Sequence, residues 1–226
     1  MDRNNEMVFN ALHANACEIL EEDETGLFLH DKTAGIWMLF QPDLKTARTW
    51  LEKRADQPVD EIVLAGSELA ALVQQTYNLG ELVETVQLVW KEPAAPVIPS
   101  DLDFVRAGEA DYPWIHDRYD LISEPELLQT VLEGRMTLAK KGNETIGFAG
   151  FHPEGSMGLL YIEPEWRRHG YARALAAEII RQALEKGLVP YANVFKDNAA
   201  SLALQEQLGL QREGQPVYWL FRAEED

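Results

Sequence analysis

The chain has 226 residues, 46% of them hydrophobic and 26% charged, which is the composition of an ordinary soluble globular protein. Its formal net charge is −18, without a basic run, so nucleic acid is not an expected partner. No apolar run is long enough for a membrane span, and the chain start lacks the layout of a signal peptide. A cytoplasmic protein with no membrane partner is therefore expected. Its acidic surface would either attract cationic small substrates or serve solubility alone.

Helical and extended patterns alternate along the first half of the chain. The spacing predicts a helix over 7–20 with Cys17 on its apolar side, strands over 26–30 and 35–40, a helix capped by Asp43, a strand over 61–65, a helix capped by Ser67 and ending near Gly80, and a strand over 82–90. Since Cys17 is the single cysteine, it is assigned to the core and not to a disulfide.

A proline-rich segment follows this half. Three prolines between Pro93 and Pro99 can continue neither a helix nor a central strand. The sequence therefore predicts an α/β domain over 1–92, a linker over 93–100 and a second domain over 101–226.

The second half has a related order of elements. It predicts a strand over 104–107, helices over 111–119 and 125–133, a hairpin of 135–140 and 145–152, a strand over 156–163, a helix over 171–186 ended by Gly187, a strand over 188–195, a helix capped by Asn198 and ended by Gly209, and a strand over 217–222.

The most informative stretch is the join between the strand 156–163 and the helix that begins at Tyr171. It contains Arg167-x-x-Gly170-x-Ala172. Gly170 allows the backbone to approach a ligand, and the first helical turn leaves N–H groups without partners. Because these groups and the helix dipole attract anions, the join is typical of a phosphate-binding loop, to which Arg167, Arg168 and Arg173 would add charge.

Two blocks of the second half, in this order and spacing, resemble the GNAT superfamily of acyl-CoA-dependent N-acyltransferases. The first is Leu159-Leu160-Tyr161-Ile162-Glu163-Pro164 followed by the Arg-x-x-Gly-x-Ala loop, and the second is Asn198-x-x-Ser201-x-x-Leu204 followed by Leu208-Gly209-Leu210. The resemblance covers about 102–221. It implies a GNAT fold with a mixed central sheet, acetyl-CoA (coenzyme A) as co-substrate, a primary amine as acceptor and no metal.

The resemblance also implies which residues bind the co-substrate. In the family, the strand before the loop separates from the next parallel strand, and its backbone binds the pantetheine arm and the acyl carbonyl. Here the cofactor-binding positions are Tyr161, Ile162, Arg167, Arg168, His169, Gly170, Tyr171, Ala172, Arg173, Asn198 and Ser201. For Asn198, a role as helix N-cap is an equally good interpretation.

The usual acid and base positions of the family are replaced. A Glu on the strand before the loop becomes Ser156, a Glu on the following strand becomes Asn193, and a Tyr in the last helix becomes Gln205. With Tyr191, these three would line the substrate cleft. Glu163 and Glu154 are the catalytic candidates, and His152 and Tyr191 are alternatives. Transfer by proximity and a water chain, or binding without catalysis, also remain open.

The predicted function is transfer of an acetyl or other short acyl group from coenzyme A to a primary amine of a small molecule or amino acid. A non-catalytic acyl-CoA-binding protein is the main alternative, and a nucleotide-phosphate-binding module is a third class. The segment 155–170 also resembles the glycine N-acyltransferase-like branch, although that branch's usual Glu falls at Ser156. A homodimer is left open.

The first half is either a degenerate copy of the second or a set of unrelated α/β elements in a similar order. Its strand 82–90 corresponds to 217–222 in that comparison. The join Gln41-Pro42-Asp43-Leu44 has no glycine and no Arg-x-x-Gly, so it would not bind a pyrophosphate.

Overall fold

The computed structural model describes residues 6–13 and 17–222. The helices are α1 (Glu6–His13), α2 (Leu44–Glu52), α3 (Ser67–Tyr77), α4 (Tyr112–His116), α5 (Glu124–Leu132), α6 (Tyr171–Glu185) and α7 (Ala199–Leu208). The strands are β1 (Cys17–Glu22), β2 (Leu27–Asp31), β3 (Ile36–Phe40), β4 (Glu61–Ala65), β5 (Glu81–Val89), β6 (Asp103–Arg106), β7 (Met136–Lys141), β8 (Glu144–Phe151), β9 (Met157–Ile162), β10 (Tyr191–Phe195), β11 (Gln211–Arg212) and β12 (Val217–Phe221).

These strands form two sheets. The larger has eight strands in the order β1-β2-β3-β4-β12-β5-β10, with β11 also paired to β5, and the smaller has the order β6-β7-β8-β9. In the larger sheet β3 and β4 are parallel and the other pairs are antiparallel. The predicted α/β class with a mixed central sheet is confirmed.

The last strands of the two predicted halves change places in the larger sheet. β5, at the end of the first half, pairs with β10 and β11 of the second. β12, near the end of the chain, lies between β4 and β5, pairing Trp219 with Val63 on one side and with Val83 on the other. The hydrogen bonds of each half's sheet thus depend on a strand of the other, and the domain boundaries stay a prediction.

Helices cover both faces of the larger sheet. One face packs against α2 and α3 through Trp50, Leu51, Leu72 and Val73. On the other face, α1 packs with Met7 against a cluster that includes Tyr191 and Trp219. The helix α6 buries Leu175, Ile179, Ile180 and Ala183 against strands of both sheets, and this contact fixes the position of its N-terminal loop.

Two details of the predicted first half are wrong. The helix predicted over 7–20 ends at His13, and Cys17 begins a strand instead of lying on a helix, because ladder bonds to β2 outweigh the helical spacing of 16–20. Residues 14–16 lie outside the described residues. Ser67 is the first residue of α3 and not its cap, since Gly66 takes that place with φ 96°, and Asn78 at φ 49° closes the helix before Gly80.

Candidate active site

The two sheets part between β9 and β10. These strands lie side by side, but β9 is the last strand of the smaller sheet and β10 the last of the larger. Backbone groups on their facing edges are therefore left for another partner. The corresponding strands of the first half, β3 and β4, are hydrogen-bonded from Trp37 to Leu39.

A bulge lies in the middle of β9. Gly150 pairs with Gly158 and Phe148 with Tyr161, so Leu159 and Leu160 together oppose Ala149. Leu159 has φ 53°, a left-handed conformation that costs a leucine about 1–2 kcal/mol. Non-glycine residues held in this region cluster at functional sites, where the strain turns backbone groups toward a ligand.

The loop between β9 and α6 presents a row of backbone donors. Arg168 and Gly170 both have positive φ, at 68° and 85°. Within the described chain, the N–H groups of residues 168–172 donate no hydrogen bond, and the first N–H to do so is that of Arg173, to the Gly170 carbonyl. A Cβ at Gly170 would meet nothing within 4 Å, so the backbone conformation and not packing accounts for the glycine. Successive N–H groups in such turns at a helix N-terminus form an anion-binding concavity.

Two arginines near the loop, Arg167 and Arg173, differ in their hydrogen bonding. The Arg167 Nε donates to the Ile162 carbonyl at 2.8 Å, and its guanidinium lies 5.6 Å from the Tyr161 ring centroid. This guanidinium covers the backbone predicted to bind the pantetheine arm and would have to move for that contact. The Nε of Arg173 is buried and has no hydrogen-bond partner among the described residues. A buried charged donor without a partner is costly, which favours an anion beside it.

An aromatic wall lies beside the loop. The rings of Trp166, His169 and Tyr171 contact one another with centroids 5.9–6.4 Å apart. Lys141, which the sequence analysis missed, donates to the Tyr171 hydroxyl at 2.7 Å and pairs with Asp101. No motif of the sequence links Lys141 to this loop, because β7 brings it there from outside both blocks.

Asn198, in the second block, is the N-cap of α7. Its side-chain oxygen accepts a hydrogen bond from the Ser201 N–H at 3.0 Å. The cofactor-facing roles of Asn198 and Ser201 stay predictions.

Glu163 lies at the end of β9 and is held by two donors. Arg118 Nε donates to one carboxylate oxygen at 2.5 Å, and the Tyr161 hydroxyl donates to the other at 2.9 Å. The Arg118 guanidinium also stacks 4.3 Å from the Trp114 ring centroid. Because both oxygens accept charge-assisted or hydroxyl bonds, Glu163 is poorly placed to take a proton from a substrate.

Glu154 has a different environment, in the turn before β9. It is 6% exposed, Ser156 Oγ donates to its carboxylate, and its backbone carbonyl accepts from the buried Tyr191 hydroxyl at 3.0 Å. Three of the predicted cleft and catalytic residues are thus brought together: Glu154, Ser156 and Tyr191. The Ser156 hydroxyl occupies the position of the family's usual Glu and points to a carboxylate two residues earlier.

More titratable groups surround Glu154. Burial raises the pKa of Glu61 to about 8, with smaller contributions from the charges of Glu154 and Glu126. Burial lowers the pKa of His152, but the Glu126 carboxylate, 4.0 Å from the ring Nδ1, and the charge of Glu154 outweigh it and leave the pKa raised. Glu61 lies in the first predicted half, away from both blocks, so no sequence motif pointed to it.

The Glu61 shift predicts how stability depends on pH. The folded protein holds the Glu61 proton up to about pH 8, whereas the unfolded chain releases it near the ordinary value of 4.5, so the buried carboxyl destabilises the fold increasingly as the pH rises through this window. We expect Glu61→Gln to raise the free energy of unfolding by roughly 2 kcal/mol at pH 8–9, and by little at pH 5. Denaturant unfolding of both proteins at the two pH values measures this, and an equal difference at both would contradict it.

The two other replaced positions carry unused polar atoms. The Asn193 side-chain oxygen accepts from Gln87 at 3.3 Å, while its Nδ2 is buried without a partner. Oε1 of the buried Gln205 likewise has no partner in the described part of the chain. Neither amide titrates, so neither can serve as acid or base.

Comparison with known proteins gives the family of the second half. Residues 102–210 match the model of the acetyltransferase (GNAT) family. Residues 102–210 are therefore a GNAT acetyltransferase domain. The family uses acetyl-CoA as co-substrate, and the residues that match this model include both blocks on which the sequence resemblance rests.

Solved structures with the same fold cover nearly the whole chain. A Drosophila protein is 16% identical with a TM-score of 0.65, covering 95% of this chain and 88% of its own. A GCN5-related N-acetyltransferase from Kribbella flavida is 12% identical (TM-score 0.58, 98% and 97% covered), and a putative GNAT-family acetyltransferase from Novosphingobium aromaticivorans is 16% identical (0.57, 97% and 98%). At these identities the likeness shows the GNAT fold alone. A sequence search of curated proteins finds no match.

Two further observations concern the residues 6–13 and 17–222 only. None of their helices is both long and apolar enough to cross a bilayer. No three of their His, Cys, Asp and Glu side chains are arranged so that they could hold one metal ion. The glycine N-acyltransferase-like branch stays a prediction.

Proposed function

We propose that the GNAT domain transfers an acetyl or other short acyl group from coenzyme A to a primary amine of a small molecule or amino acid. The observation that carries the proposal is the row of N–H groups at residues 168–172, which donate to none of the described residues and lie next to the gap between β9 and β10. The N–H groups would bind the pyrophosphate, with the Arg173 guanidinium beside it. The open strand edges would take the pantetheine arm.

The carboxylates of Glu154 and Glu126 favour a cationic acceptor, whereas Glu61 holds its proton at pH 7 and adds no charge. An ammonium group there would meet the buried carboxylate of Glu154, which accepts a hydrogen bond from Ser156. Neutralising an amine of pKa ~10.4 at pH 7 costs roughly 4–5 kcal/mol, and a nearby carboxylate that accepts the proton reduces this cost.

The transfer step follows from these placements. The amine gives one proton to Glu154, and its nitrogen forms a bond to the thioester carbonyl carbon. The carbon–sulfur bond then breaks and coenzyme A leaves as a thiolate. The nitrogen loses its second proton, which passes through water to this thiolate, since Gln205 offers no titratable group. Glu163 holds Arg118 on the Trp114 ring and so positions the end of β9. We assign Glu163 this positioning role and assign Glu154 the role of proton acceptor.

A non-catalytic acyl-CoA-binding protein is the second candidate function. The absence of a titratable side chain at Ser156, Asn193 and Gln205 favours it. Amine-dependent release of coenzyme A separates the two, because a binding protein would bind acetyl-CoA without turning it over.

We expect acetyl-CoA to bind once per chain. In the first half β3 and β4 are paired, and the helix N-terminus after β3 is occupied, because the Asp43 carboxylate accepts from the Lys45 and Thr46 N–H groups at 2.9 Å. A carboxylate on those donors excludes a phosphate. Calorimetric titration should give a stoichiometry of one, and two equivalent sites would contradict the assignment of binding to the second half.

A further inference from the structure

A groove lies at the far end of α6 from the cofactor loop. Its volume is about 470 Å³, and it is bounded by Phe104 and Arg106 of β6, Glu133 of the segment after α5, Glu178 and Arg181 of α6, and Lys186. The helix has 15 residues, so Lys186 lies more than about 20 Å from Gly170 along the axis. The groove is therefore separate from the loop at 168–172.

The carboxylates of this groove are already neutralised. Glu178 pairs with Arg181 at 2.6 Å, and Glu133 pairs with Arg135 at 2.8 Å and accepts from Gln129. Two cations are not neutralised: across the part of the chain that the structure describes, neither Arg106 nor Lys186 has a carboxylate partner. Arg106 donates only to the Glu133 carbonyl at 2.9 Å, and the Lys186 ammonium lies 4.6 Å from the Phe151 ring centroid.

Both cations are exposed and line the same groove. A Cβ at Gly134 would fall 1.6 to 1.9 Å from the Arg106 guanidinium, so the glycine, at φ 69°, leaves the place in which that side chain lies. Burial and the charges of Arg106 and Arg135 lower the pKa of Lys186. In a chain of net charge −18, two cations that line one groove and have no carboxylate partner among the described residues point to an anion bound in that groove.

We propose that this groove binds a small anion, through a carboxylate or phosphate group held by Arg106 and Lys186. The planar guanidinium would take two oxygens of the anion and the ammonium a third contact, while Phe104 offers an apolar wall to the rest of the ligand. This site is independent of the proposed acyl transfer.

The test uses Gly170→Asp as background, so that anions cannot bind at the cofactor loop. Inorganic phosphate and succinate are titrated separately by calorimetry at constant ionic strength, set with sodium chloride. We expect at least one of them to bind saturably with a stoichiometry of one, and binding to be lost on adding Arg106→Gln and Lys186→Gln. Lys45→Gln, which removes an exposed lysine on α2, is the matched control and should leave binding unchanged.

Each outcome decides the proposal. Binding of phosphate alone assigns a phosphoryl ligand, and binding of succinate alone assigns a carboxylate. No binding of either anion at about 10 mM, or equal binding in the double variant, would overturn it. If Gly170→Asp does not fold, the same titrations are made in the protein without this substitution, saturated with coenzyme A so that the cofactor loop is occupied.

Discussion

Gly170→Asp should abolish detectable acetyl-CoA binding while the protein stays folded. The Cβ at this position meets nothing within 4 Å, so there is space for the aspartate, and the left-handed backbone at φ 85° costs it about 1–2 kcal/mol. Its carboxylate, however, would lie among the N–H groups proposed to bind the pyrophosphate. Two like charges 4 Å apart near a protein surface repel by about 4 kcal/mol, which corresponds to roughly a thousandfold loss of affinity.

Gly170→Asn is the matched control for this variant. Asparagine has the same shape, carries no charge and adopts the left-handed backbone of Gly170 at a similar cost. We expect it to weaken binding by no more than about tenfold, measured by calorimetry beside circular dichroism of both variants. Equal affinities of the two variants would remove the loop from the account, because charge would then have no effect there.

Glu154→Gln should lower kcat by about a hundredfold or more, the contribution of a general base. Glutamine keeps the shape and the hydrogen bond with Ser156 but cannot take a proton. Steady-state rates with a saturating amine measure the effect. Glu163→Gln tests the competing candidate: it should lose the Arg118 ion pair and reduce stability, with a smaller loss of kcat than Glu154→Gln.

The replaced positions supply the controls for Glu154. Ser156→Ala, Asn193→Ala and Gln205→Ala should each cost less than about a hundredfold in rate, since none of these side chains titrates usefully. For the unsubstituted protein, the rate should rise with pH as the free-amine fraction of the acceptor grows. A collapse of activity in Ser156→Ala, or full activity in Glu154→Gln, would contradict the proton path.

Most elements of the fold follow from local patterns in the sequence. Local spacing and turn residues predict the strand at 61–65, the cap at Asp43 and the helix from Tyr171. They do not predict that β12 lies between β4 and β5, because the partners of β12 are more than 130 residues earlier in the chain. The same apolar alternation would pair equally well within its own half.

The site residues also divide into those that a local motif predicts and those that come from distant parts of the chain. The cofactor loop is a contiguous motif, so its left-handed glycine and open N–H groups could be anticipated. Glu61 and Arg118 could not, because each reaches the site from a separate element and neither belongs to a spaced pattern. The left-handed conformation of Leu159 could not be predicted from the sequence either, because the bulge arises from the register of β9 against β8.

The most direct test of the account is amine-dependent release of coenzyme A from acetyl-CoA. The purified chain is incubated with acetyl-CoA and a panel of primary amines that includes amino acids and diamines, and free thiol is followed at several pH values. The account predicts that at least one amine releases thiol in proportion to enzyme, and that Gly170→Asp eliminates this release. Acetyl-CoA that binds with a stoichiometry of one but yields no thiol with any amine would contradict acyl transfer and leave a binding protein.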